Sequence, residues 1–258
     1  MKQFTAITKK EFFESIATFR LYILAAVFLM FGIMSPLIAK LTPDIIRSLM
    51  DTGELEGVFM SVPEPTAMDS WGQFFKNVGQ MGILTLVITF SGIMANEISR
   101  GTLVNLITKG LKRHTVILSK FLSASIMWAV SYALCLGVCY LYTMYFWDTA
   151  ALNHTFLAFA SPWVFGELML SLLVFGGTLF GNIYGSLLSC LGAVVAINVI
   201  SIFPDTARYN PVSLSSGTLS LLAGLSEPSD FIPAFIICLT AVIILLTVTM
   251  GVFKRKTL

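Results

Sequence analysis

The sequence predicts an all-α polytopic membrane protein with six transmembrane helices, and three observations support this prediction. Hydrophobic residues make up 56% of the 258 residues, against roughly 45–50% in a soluble domain. Charged residues make up only 12%, about half of the usual quarter. Six apolar stretches are each long enough to cross a hydrocarbon core of about 30 Å. A soluble fold of this size could not bury so much apolar surface, and the same composition excludes disordered and collagen-like chains.

The predicted spans follow one another along a single transmembrane domain. They are residues 21–39, 78–95, 121–147, 163–181, 186–203 and 231–252. The third stretch is longer than a crossing requires, which predicts a tilted helix or an extension beyond the bilayer. Only four residues separate the fourth and fifth spans, so we expect a tight helical hairpin there. The first span is longer than the apolar core of a signal peptide and is followed by five more, so we interpret it as uncleaved.

The distribution of lysine and arginine predicts that both termini are cytoplasmic. Of the 16 basic residues, 12 fall in the N-terminal segment, the link between spans two and three, and the C-terminal tail. The opposite set of segments holds the remaining four, together with ten of the 14 acidic residues. The sequence therefore predicts an integral protein of a bacterial cytoplasmic membrane with both ends inside.

Residues 2–19 precede the first span and predict an amphipathic helix lying in the cytoplasmic interface. At about 100° per residue, one arc of this helix is apolar and the opposite arc is polar, with Glu11 and Phe13 as exceptions. The apolar arc holds Phe4, Phe12, Ile16 and Phe19, and the polar arc holds Lys2, Gln3, Lys9, Lys10 and Glu14. A frayed cytoplasmic tail is the alternative interpretation.

Two outer segments are longer than simple connections. Residues 42–76 are acidic and contain three prolines, so we predict loop there apart from a short helix around residues 44–50. Residues 204–230 join the last two spans, and their stretch 212–225 is apolar but too short to cross a bilayer. That stretch fits either a re-entrant or interfacial piece covered by protein or water, or an exposed loop.

The sequence contains no residue pattern typical of an enzyme, a metal site or a cofactor site. Both histidines, His114 and His154, lie outside the predicted spans, and the Gly-Lys dipeptide of a P-loop does not occur. The four cysteines fall inside apolar stretches and fit small buried residues. We therefore expect no catalytic residue, metal or cofactor in this chain and no ATP hydrolysis by the chain alone. The net charge of only +2 gives no indication of a nucleic-acid partner.

Glu167 is the one ionisable residue inside a predicted span. Counted from the start of the fourth span at Trp163, it lies roughly 6–8 Å below the outer end. Two interpretations stay open for this carboxyl group. It could line a substrate path or carry a proton, as intramembrane carboxyl groups often do. It could instead be a snorkelling or hydrogen-bonded residue at the depth of the outer lipid headgroups.

The link between spans two and three, residues 97–113, predicts a short amphipathic helix on the cytoplasmic face. Gly101 is expected to end the helix that leaves the bilayer, and Thr102 is a favourable N-cap for a new one. Leu103, Leu106 and Ile107 then form an apolar stripe at helical spacing. Such a helix could lie on lipid or fit a groove on a partner protein.

This link resembles the corresponding segment of permeases of the type-2 ABC exporter family. The matching positions are Glu97, Gly101, Thr102, Leu103, Leu106, Arg113 and Lys120. The chain departs from the family pattern at Lys109-Gly110, where the family usually has proline, and at Ser119, where it usually has glycine. The overall layout is similar to that family along essentially the full length.

The resemblance implies the membrane subunit of an ATP-driven exporter that works as a dimer, either with a second copy or with a paralogue. Each permease would dock one cytoplasmic ABC ATPase subunit, two in all, which accounts for the missing P-loop. The residues that the resemblance assigns to ATPase coupling are Glu97, Arg100, Gly101, Thr102, Leu103, Leu106 and Ile107. The alternative is a polytopic membrane scaffold, assembly factor or immunity factor without transport activity.

Overall fold

All regular elements in the described part of the chain are helices. The computed structural model describes residues 2–51, 64–103, 108, 111–147, 152–200, 202–203 and 208–256. We number the α-helices in chain order: α1 Lys2–Ala17, α2 Arg20–Asp51, α3 Ala67–Lys76, α4 Ile83–Phe90, α5 Ala95–Ser99, α6 Arg113–Phe146, α7 Thr155–Phe180, α8 Ile183–Ile200, α9 Ser213–Ser216, α10 Thr218–Leu222 and α11 Pro228–Arg255. A π-helix, Asn77–Gly82, joins α3 to α4.

Six helical segments are long and apolar enough to cross a membrane. They are Arg20–Ser48, Ala67–Ser99, Arg113–Phe146, Thr155–Phe180, Ile183–Ile200 and Pro228–Arg255. Each overlaps one predicted span, so the prediction of an all-α polytopic membrane protein is confirmed. The tight hairpin between the fourth and fifth spans is also present, and Gly181 at its turn adopts a φ of +71°.

Helical structure extends well into segment 42–76, where we predicted mostly loop. Helix α2 continues to Asp51 through Pro36 and Pro43, and α3 begins at Ala67. A capping box starts α3: the Thr66 amide donates to Asp69 Oδ2 at 2.8 Å, and the Thr66 hydroxyl to the same oxygen at 2.7 Å. Hydropathy alone missed α3 because the helix is amphipathic and packs against protein.

Helix α7 is the most buried of the six spans and forms the centre of the bundle. It packs against α11, α8, α6 and α4. Gly166 of α7 lies directly against the indole of Trp128 on α6, and Trp128 Nε1 donates to the Trp163 carbonyl at 3.0 Å. The neighbouring α8 is the least buried span, so most of its surface faces away from the chain.

The segment between the last two spans packs against the bundle. In the described part, residues 208–227, helices α9 and α10 contact α7, α3 and α11. Their apolar side chains Leu214, Leu221 and Leu222 are fully buried, and Gly79 of the π-helix lies against the carbonyl of Ser215. Of the two predicted alternatives for residues 212–225, the structure matches a piece that is covered by protein and not an exposed loop.

We call the end of the bundle that holds α1, α5 and the C-terminus of α11 the basic end. At this end, basic side chains cap the C-termini of helices. Arg113 Nη1 donates to the carbonyls of Phe253 at 2.6 Å and Lys256 at 2.7 Å. Lys256 Nζ in turn donates to the Thr178 carbonyl at 2.7 Å, at the end of α7. Unpaired terminal carbonyls attract cations, so these basic residues have a structural use besides their contribution to topology.

Candidate functional site

A buried ionic cluster joins three helices at the basic end. Lys120 Nζ of α6 lies 2.7 Å from Glu11 Oε2 of α1 and 2.9 Å from Glu97 Oε1 of α5. The lysine is only 2% exposed and Glu11 only 6%. A buried lysine needs ionic partners to remain charged, and these two carboxylates supply them from elements that are distant in sequence.

Lys10 extends the cluster towards solvent. Its Nζ lies 2.9 Å from Glu14, 3.3 Å from Glu11 and 3.5 Å from Glu97. Burial opposes the charge of Lys10, but the hydrogen bond to Glu14 and the charges of Glu11, Glu97 and Glu14 outweigh it and raise its pKa. Burial likewise opposes the charge of Glu14, while the hydrogen bond and charge of Lys10 and the charges of Lys120 and Arg20 lower its pKa.

The predicted coupling residues begin beside this cluster. Glu97 contacts the two lysines. Arg100 and Thr102 are exposed, and Gly101 ends the helix with a φ of +66°, as predicted. The Thr102 hydroxyl donates to the Glu97 carbonyl at 3.3 Å.

Leu103 requires a correction. We predicted it as part of an apolar stripe that enters an ATPase groove, but its side chain is 0% exposed and belongs to the core of this chain. A fully buried side chain cannot contact a partner without local unfolding. Leu106 and Ile107, the other members of that stripe, lie outside the described residues.

An apolar groove of about 710 Å³ runs between α8 and the segment formed by the π-helix and α4. Leu84, Val87 and Leu191 are typical of its walls, and Gln80 and Asn182 are polar residues in its lining. Gln80 projects from the π-helix and is exposed. The Asn182 side chain accepts a hydrogen bond from the Gly185 amide at 2.6 Å, at the start of α8. The size of the groove is that of a small-molecule site.

The comparison with known proteins gives one match to a curated protein over most of the chain. The "Uncharacterized transmembrane protein YxlG" of Bacillus subtilis (strain 168) is 23% identical over 235 residues, which cover 90% of this chain and 89% of the relative. No family model matches the chain. The relative and the six apolar helices agree on one conclusion. The chain is an integral membrane protein.

In this membrane protein, Glu167 is buried between spans. Helix α7 begins at Thr155 and not at Trp163, so Glu167 lies 12 positions from its first residue, near the middle of the 26-residue helix. Ser125 Oγ donates to Glu167 Oε1 at 2.7 Å, and Oε2 is buried without a hydrogen-bond partner. No basic side chain of the described residues forms an ion pair with it. Glu167 is therefore farther from the start of its helix than the predicted span implied, and its depth in the bilayer stays a prediction.

Lys10, Glu11 and Glu14 of this membrane protein belong to the site although the sequence did not predict them there. Glu11 had been noted as an exception in the amphipathic pattern of residues 2–19. That exception was the available signal, because an acidic residue on the buried face of a helix needs a cation. Its partner, Lys120, lies 109 positions away along the chain, so no local pattern connects the two.

Proposed function

We propose that this membrane protein is the permease subunit of an ATP-driven ABC exporter. It would act as a dimer, with a second copy or a paralogue, and be coupled to separate cytoplasmic ABC ATPase subunits. Support comes from the resemblance of residues 97–120 and of the whole six-helix layout to type-2 ABC exporters. The observation that carries the proposal is the buried cluster of Glu11, Glu97 and Lys120, which ties the resembling link to two further helices.

The cluster supports a mechanical role for the link. A movement imposed on the exposed residues Arg100 and Thr102 would pull Glu97, which lies three and five positions away from them on the same short segment. Breaking a buried ion pair by removing one partner is typically unfavourable by about 3–5 kcal/mol. Helices α1, α5 and α6 would therefore move together and not separate, which is the behaviour that coupling to an ATPase requires.

The apolar groove beside α8 is a suitable location for the transport pathway. Most of α8 is not covered by its own chain, and a second permease facing it would enclose the groove. The walls are apolar, and polar lining is limited to side chains such as Gln80 and Asn182. Such a surface suits an apolar or amphipathic cargo better than an inorganic ion, because it cannot replace a hydration shell.

Co-purification tests the proposed coupling to an ATPase. We expect Thr102→Arg to weaken recovery of the co-expressed ABC ATPase at least about tenfold, because a long cation would occupy the exposed docking surface. Gln3→Arg adds the same side chain at an exposed position of the same end and is the matched control. The purified chain alone should not hydrolyse ATP. Equal ATPase recovery with both variants would contradict the assignment of the link, and no recovery even with the wild type would favour a membrane scaffold.

Cysteine labelling tests the proposed orientation. In a background lacking the four buried native cysteines, a membrane-impermeant maleimide added to intact cells should label Leu225→Cys and not Lys112→Cys. Both positions are exposed, and they lie on opposite sides of the spans. Labelling of both after the cells are opened controls for reactivity. The reverse pattern in intact cells would refute cytoplasmic termini.

A further inference from the structure

A second, polar pocket of about 310 Å³ lies at the basic end beside the ionic cluster. Arg20, from the first turn of α2, and Arg100, from the end of the second span, both line it. Asn96 contributes a side-chain amide to the same pocket. These donors come from two different spans, so the fold and not local sequence brings them together.

The two arginines are only partly compensated by the carboxylates beside them: the charge of Arg20 acts on Glu14, but Glu14 has Lys10 as its closer partner. Neither guanidinium forms an ion pair within 4.0 Å, whereas Lys10 and Lys120 are held by three carboxylates. The nearest acidic groups are already engaged: the hydrogen bond of Glu14 goes to Lys10, and Glu97 contacts both lysines. The three carboxylates and two lysines of the cluster together carry one net negative charge. The two arginines add two positive charges, so the region as a whole is positively charged. The Asn96 side chain also has no hydrogen-bond partner among the described residues.

The pocket lies beside a surface typical of the membrane–water interface. Phe19 and Tyr22 flank Arg20, are 66% and 56% exposed, and place their ring centroids 6.0 Å apart. Exposed aromatic rings of this kind mark the depth of lipid headgroups. The neighbouring Ile23 is also exposed and continues an apolar surface along α2. Phe19 adopts a φ of +60°, a strained conformation that ends α1 and begins α2 at Arg20.

We propose that this pocket binds the phosphate group of an anionic membrane phospholipid. A planar guanidinium donates two parallel hydrogen bonds to a phosphate. Arg20 and Arg100 supply two guanidinium groups to the lining of this pocket, and Asn96 supplies an amide. The acyl chains of the lipid would run along Tyr22 and Ile23. The excess positive charge favours a headgroup without a cation of its own, such as phosphatidylglycerol, over a zwitterionic one.

The bound lipid would also join the first and second spans beside the ionic cluster. Glu97 and Lys10 line the same pocket as the two arginines. A phosphate that bridges Arg20 and Arg100 joins the first and second spans directly beside Glu97. Lipid binding therefore braces the link beside Glu97, at Arg100.

Native mass spectrometry of the full chain in detergent tests the proposal, with dioleoyl-phosphatidylglycerol as the probe and dioleoyl-phosphatidylcholine as the competitor. We expect Arg20→Gln with Arg100→Gln to weaken binding of the first bound phosphatidylglycerol about twenty-fivefold, about fivefold for each arginine. Lys9→Gln with Lys112→Gln removes two exposed charges from the same end and should leave that affinity unchanged. Arg20→Lys with Arg100→Lys keeps the charge but not the paired hydrogen bonds, and an intermediate loss is expected. Millimolar inorganic phosphate should not displace the lipid.

Three results would overturn the proposal. Equal losses in the arginine and lysine pairs would show a general effect of charge. Displacement of the lipid by inorganic phosphate would show a site for free anions. Unchanged lipid binding in the arginine pair, with loss of ATPase recovery on co-expression, would assign both arginines to the ATPase. Because the lipid measurement uses the chain alone, failure of the exporter proposal leaves it unaffected.

Discussion

Replacing Lys120 by methionine is expected to lower the free energy of unfolding by about 3–5 kcal/mol. The side chain is only 2% exposed, so methionine would fill a similar volume but remove the closest cation of Glu11 and Glu97. Only Lys10 would remain beside them, at 3.3 Å and 3.5 Å, and it is partly exposed to solvent. Glu97 Oε2 already lacks a hydrogen-bond partner, which increases the penalty for losing the lysine at Oε1. The expected loss can be measured by denaturant titration in mixed micelles, relative to the wild type.

The same measurement on two further variants separates charge from packing. Lys9→Met removes an exposed lysine from the same region and should change stability by well under about 1 kcal/mol. The triple variant Glu11→Gln, Glu97→Gln and Lys120→Met removes all three charges and should regain much of the loss, because no uncompensated charge remains. If Lys120→Met were as stable as Lys9→Met, the cluster would not hold α1, α5 and α6 together.

The helices were predictable from sequence because each bilayer span is encoded locally. A run of about 20 apolar residues predicts a span whatever the rest of the chain does, and all six were found. The predicted ends were less accurate. Apolar runs report the part of a helix that resembles lipid, whereas α3 is amphipathic and packs on protein. The first turns of α7 are mostly apolar but are separated from the rest of the run by Ser161 and Pro162. This difference moved Glu167 from near the outer end of a helix to near its middle.

Leu103 shows why sequence could not identify the docking residues. Apolar residues at helical spacing indicate that one face of a helix is covered, but the pattern is the same whether the cover is the chain itself or a partner. In the structure, Leu103 is covered by its own chain. The ionic cluster was hidden for a related reason. Its charged residues are divided among three separate segments, and only the packing of α1 against α6 brings Glu11 to Lys120.

Valine at position 166 is expected to destabilise the protein by about 1–3 kcal/mol through overpacking of the bundle centre. A Cβ atom on Gly166 would overlap the indole ring of Trp128. That ring has little freedom to move. Its Nε1 donates to the Trp163 carbonyl at 3.0 Å, and its centroid lies 5.2 Å from that of Phe28 and 5.4 Å from that of Tyr132. The contact between α6 and α7 must therefore widen to accept the new methyl groups.

Gly192→Val is the matched control, because a Cβ at position 192 of α8 meets no atom within 4 Å. Both substitutions add the same side chain to the interior of a spanning helix, so any effect of helix propensity or hydrophobicity is shared. Thermal unfolding in detergent should show a lower midpoint for Gly166→Val and little change for Gly192→Val in the isolated chain. Equal stabilities would contradict close packing at Trp128. Loss of dimer with Gly192→Val alone would instead indicate that a second copy covers α8, since the open side of that helix is the surface that the proposed dimer uses.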